Sequence, residues 1–137
     1  MILLAISGDE AFGRACCAQL SAELGSARLR RLYLGHLPEL AERVRRIRLS
    51  LPRLSDHYVT VATGVNSEEE AAEYRRLGGM VCHPYGSVSL EKNALRIRHG
   101  DVLISPSPDT PSHVLEPLDV WSEHLIQRRV QRQEARV

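Results

Sequence analysis

The chain has 137 residues, a formal net charge of +1 and 26% charged side chains. That length suits one domain with a single core. The near-neutral balance excludes the global positive field expected of a nucleic-acid binder. Arginine carries nearly all the positive charge, Lys92 being the one lysine, and aromatic residues are few, so the core must be built from Leu, Val, Ile and Ala.

The elements follow in chain order. Residues 1–7 (MILLAIS) are an almost unbroken apolar run, the pattern of a strand buried on both faces of a parallel sheet. A helix is predicted over 13–24, with Cys17, Leu20 and Leu24 on one side and Gly25 as its stop. Residues 26–36 alternate loosely, as a short strand or a turn. Pro38 opens a second helix whose apolar side is Leu40, Val44, Ile47 and Leu51, and Pro52 ends it. Tyr58 to Thr63 is a β-branched strand. A turn over 64–67 follows, and Ser67 with Glu70 has capping-box spacing for a helix over 68–77, stopped by Gly78-Gly79. Met80 to His83 is a third strand. Strands alternating with helices imply parallel pairing and an α/β fold. Leu95–Arg98 and Val102–Ser105 flank His99-Gly100-Asp101 as a predicted hairpin. A proline-rich loop over 105–112 precedes a last helix marked by Leu118, Trp121 and Leu125. The domain is placed at 1–125, and the polar, basic tail over 126–137 is expected to fray.

Residues 8–15 carry the strongest motif. Gly8 and Gly13 have the Gly-x-x-x-x-Gly spacing of a phosphate-binding loop, set between a buried strand and a helix. Arg14 stands where a lysine would reach the β/γ-phosphates, and Ala15 where a hydroxyl would hold Mg²⁺. Asp9 and Glu10 bring negative charge to the same turn. A charge-assisted contact contributes roughly 1.5–3 kcal/mol, so losing the lysine and adding two carboxylates weakens a nucleotide by tens to thousands of fold. Phosphoryl transfer depends on positioning and charge neutralisation, and Ala15 cannot ligate a metal at the position where the hydroxyl would.

This loop and the segment 64–79 (GVNSEEEAAEYRRLGG) together resemble the phage-type deoxynucleoside monophosphate kinases, a branch of the P-loop kinases. In that family a strand ends in an Asp-Val-Arg-Phe turn, then an asparagine–glutamate pair and a helix closed by Leu-Gly-Gly. The helix, Glu70 and Leu77-Gly78-Gly79 match, whereas Gly64 holds the Asp position and Asn66 the Arg position. The resemblance spans residues 1–25 and 55–85 and fits 100–125 more loosely. It implies a P-loop NTPase-like three-layer fold with a short, mostly parallel sheet and the lid region largely missing. The relic nucleotide-binding set is then Gly8, Gly13, Arg14, Ala15, Gly64, Asn66 and Glu70. ATP or a deoxynucleoside monophosphate is the implied ligand, with Mg²⁺ only if transfer occurs.

Arg43 and Arg46, in the densest basic stretch (Arg43, Arg45, Arg46, Arg48), are candidates for an anion, against the alternative of a solvated helix face. His83 and Tyr85 follow a strand end and stand where they would line the same crevice. The six histidines show no metal-ligand spacing. Cys16, Cys17 and Cys82 give no zinc pattern and poor disulfide prospects, as in a reducing cytosol. The opening apolar run is too short for a membrane span, so a cytoplasmic protein is expected (host cytoplasm if viral). The leading expectation is a non-catalytic, kinase-like protein that binds a nucleotide-like anion or a host protein. The alternatives are an active kinase with an atypical loop and an assembly protein that forms homo-oligomers.

Overall fold

The computed structural model describes residues 2–34, 37–50, 58–85, 97–107 and 111–135. In chain order they form β1 (Ile2–Ser7), α1 (Glu10–Leu24), β2 (Leu29–Tyr33), α2 (Leu40–Ser50), β3 (Val59–Val65), α3 (Glu68–Arg76), β4 (Met80–Pro84), β5 (Val102–Ile104), β6 (Val114–Leu115) and α4 (Pro117–Ala135). A single 3₁₀ turn (Ser26–Arg28) joins α1 to β2.

The six strands make one sheet in the order β2-β3-β1-β4-β5-β6, and each ladder is parallel. β1 lies at its centre with all six residues buried. Its alternate residues face opposite layers. Ile2, Leu4 and Ile6 pack with Cys16, Cys17 and Leu20 of α1 and Val120 of α4. Leu3 and Ala5 pack with Ile47 of α2 and with Ala71 and Tyr74 of α3. Burial of a strand on both faces explains why its sequence is apolar throughout rather than alternating.

Several expected elements shift. The helix predicted from Gly13 starts at Glu10, because Asp9 caps it. The loosely alternating segment holds a strand, β2. The predicted hairpin around His99-Gly100-Asp101 is not one: Ile97 and Arg98 carry no strand, and β5 pairs in parallel with β4 and β6. Leu95 lies outside the described residues, as do Leu51 and Pro52. The two-residue β6 lies between the predicted loop and the last helix, where the sequence reading places no element. α4 runs from Pro117 to Ala135, into the segment read as a tail. No helix among the described residues is long and apolar enough to cross a membrane.

Chain connectivity defines one crevice. α1 leaves β1 over one face of the sheet, whereas α3 leaves the neighbouring β3 over the other. In open parallel sheets such a switch point, at the carboxyl ends of the strands, is the usual ligand site.

Candidate functional site

At the switch point, β1 passes to α1 through only Gly8 and Asp9. Gly8 has φ +104°, and a Cβ there would lie 2.8 Å from Pro84 Cγ at the end of β4, so both the turn and its neighbour require glycine. The Asp9 carboxylate oxygen Oδ1 accepts from the Phe12 backbone N–H at 2.8 Å, closing the N-terminus of α1. Gly13 is therefore inside the helix, not at the end of a loop. A Cβ at Gly13 would lie 2.7 Å from Thr63 Cβ on β3, so this glycine lets α1 sit directly on the sheet. The Gly-x-x-x-x-Gly spacing is present, and residues 10–13 of it form the first turn of α1.

The two residues after Gly13 follow from that shift. Arg14 is on the exposed side of α1, 2.8 Å from Glu10. Ala15 is exposed one position further round. Arg31 of β2 reaches toward Glu10 at 3.8 Å and donates to Thr63 Oγ1 at 3.2 Å. Both guanidinium groups thus approach the one Glu10 carboxylate, while Asp9 is engaged by the helix N-terminus. Asp9→Ala is expected to lower stability by about 1 kcal/mol through loss of the cap, and Asp9→Asn by less than half of that. Urea midpoints of the two variants check it.

Beside it, Gly64 has φ +71° and lies against the Tyr33 ring, 2.8 Å from a Cβ built there. It sits where the register of β1 against β3 slips, Ala5 pairing with Ala62 and Ser7 with Val65. Gly64 therefore serves a bulge in β3, and the exposed Asn66 carries the chain into α3. Ser67 Oγ accepts from the Glu70 N–H at 3.2 Å, which is half of the capping box. The Glu70 carboxylate does not complete it. It is buried and takes the Arg43 Nε–H at 2.6 Å.

That pair corrects the anion-site expectation. Arg43 also donates to the Leu37 carbonyl at 2.7 Å, so its guanidinium ties α2 to α3. Arg46 points elsewhere, bonded to Glu42 at 3.3 Å on an exposed face. The two arginines do not converge.

His83 does not line the crevice. It is buried, and its Nε2 lies 2.7 Å from Asp101 Oδ2. Asp101 also accepts both Nε–H and Nη2–H of Arg75, at 3.1 and 2.6 Å, and the Arg98 backbone N–H at 2.9 Å. No sequence signal joined these groups, because they come from α3, β4 and the turn before β5. Tyr85 is exposed and meets His113 edge-to-face.

Burial raises the pKa of all three thiols, Cys16 to about 12, so none offers a thiolate near neutral pH. Among the described residues no group of His, Cys, Asp and Glu could hold a metal ion. A groove of about 730 Å³ lies between α2 and α3, lined in part by Leu40, Val44, Leu49 and Ala72. Comparison with protein-family models, with curated proteins and with solved structures finds no match to this chain.

Proposed function

We propose that the chain is a non-catalytic relative of the P-loop kinases that works by binding a protein rather than by moving a phosphoryl group. The observation that carries this reading is the N-terminus of α1. A phosphate site needs open N–H groups and the positive end of the helix dipole aimed at the ligand. Here the Asp9 carboxylate takes the Phe12 N–H, and Glu10 adds a second negative charge in the first turn. The protein supplies its own anion where a nucleotide would place one.

The neighbouring positions of β1 and β3 support the kinase-like part of the reading, since the two matching segments then end side by side. The viral character of the resembling family makes a host protein the implied partner. The test is thermal melting with ATP and the common deoxynucleoside monophosphates at about 1 mM, with and without Mg²⁺. A ligand present at 100 times its Kd stabilises by about 2.7 kcal/mol, which is several degrees in a domain of this size. The expected shift is under about 1 °C, with no ADP release. Turnover above about 0.1 s⁻¹, a tenth of the lower end of the usual kinase range, would overturn it.

A further inference from the structure

The apolar stripe of α2 is not all used in the core. Ile47 is fully buried, but Leu40 and Val44 are only partly so, and Leu49 is 59% exposed. With Ala41 and Ala72 they floor the groove between α2 and α3. The small side chains at Ala41 and Ala72 keep the valley open, in the form that accepts an amphipathic helix by its apolar anchors.

The rim determines what enters. Arg45, Arg48 and Arg76 are 71%, 61% and 60% exposed at the side chain. Arg48 and Arg76 share one carboxylate, that of the buried Glu73, which leaves a positive surplus between them. Glu69 is the one exposed acid in the lining. A second copy is the obvious rival, because α4 exposes Ile126 and Val130 one turn apart. Yet Arg128 and Arg129 flank those residues, and bringing them to an arginine rim sets like charges together.

The geometry points to this groove as the docking site for an acidic amphipathic helix of another protein. The inference rests on the binding role proposed above and names the surface and the partner's chemistry. Leucines of the partner helix fill the floor over Val44 and Leu49. Its Glu and Asp residues meet Arg45, Arg48 and Arg76.

The experiment uses the full chain and two fluorescent peptides of about 15 residues, enough to cover α2 at about 1.5 Å per residue. Both carry the same leucine stripe; one has Glu on its polar face and the other Lys. At about 50 mM salt the acidic peptide is expected to bind at least about tenfold more tightly, and the preference to shrink at about 500 mM. Arg45→Glu should reduce the preference severalfold, and Leu49→Ser should weaken both peptides. Both side chains are already exposed, so melting curves should stay near that of the parent protein. No binding, equal binding of the two peptides, or a mass that doubles with concentration would overturn the inference. Nucleotide turnover with the acidic preference intact would overturn only the non-catalytic reading.

Discussion

Asp101→Ala is expected to destabilise the protein by about 3–5 kcal/mol, the usual cost of removing one partner from a buried charge network. The Asp101 side chain is 3% exposed and accepts from Arg75 twice, from His83 and from the Arg98 backbone. It is the knot that ties α3 to β4 and to the turn leading into β5. Without it the guanidinium of Arg75, itself mostly covered, and the His83 ring lose their common acceptor. Asp101→Asn keeps the shape but turns an NH₂ group toward donors, so it should recover only part of the loss. Urea unfolding measures both, and a cost below about 1 kcal/mol would refute the network's role. At about 2–4 °C per kcal/mol, the melting temperature falls by roughly 10 °C.

The same network has a pH signature. Burial alone would raise the Asp101 pKa, but the hydrogen bonds from Arg75, Arg98 and His83 outweigh it and hold the carboxyl below its ordinary value. A depressed carboxyl pKa contributes stability that is present above the unfolded value of about 3.9 and lost as pH falls through the folded value. His124 acts earlier. Burial, with Arg128 second, lowers its pKa to about 4. The unfolded ring takes up a proton near pH 6.5 and the folded ring does not, so stability falls with pH between about 6.5 and 4. A stability–pH profile should therefore decline in two stages. His124→Gln is expected to flatten the first stage, and Asp101→Asn to reduce the second, to which Glu73, held low by its hydrogen bond from Arg76, also contributes.

Much of the layout was legible in the chain because it depends on local pattern. β1 is an apolar run and is the buried central strand. Ser67 does cap α3, and Gly78-Gly79 does end it. What misled was a motif with two physical meanings. Gly8 and Gly13 at this spacing suit a phosphate loop, but Asp9 is an equally good helix cap, and the cap wins because it satisfies an N–H that is always present. Arg43 and Glu70 are 27 residues apart, and Arg75, His83 and Asp101 lie on separate elements. Such contacts depend on sheet order, which hydrophobic periodicity does not encode. The groove was hidden for a related reason: periodicity places Leu40, Val44 and Ile47 on one side of α2 but does not say how far the core reaches along it.

Gly13 gives the sharpest separation between the two meanings. In a phosphate cradle a glycine at the end of the loop serves the ligand, and replacing it chiefly damages binding. Here it serves packing. Alanine inside a helix usually gains about 0.5–1 kcal/mol over glycine, so an exposed site would become more stable. At position 13 the added Cβ meets Thr63 Cβ at 2.7 Å and Cγ2 at 2.9 Å, both on a buried strand. Crowding a packed interior costs about 1–3 kcal/mol, occasionally more, so Gly13→Ala should be destabilising by about 1–2 kcal/mol despite its better helix propensity. Gly13→Val should exceed about 3 kcal/mol, because α1 must lift and carry Cys16, Cys17 and Leu20 out of the core. Removing the opposing Cβ and its branches with Thr63→Gly should make Gly13→Ala harmless in the double variant, a coupling above about 1 kcal/mol. A Gly13→Ala protein as stable as the parent would mean that the helix does not rest on β3 as described, and would restore the loop.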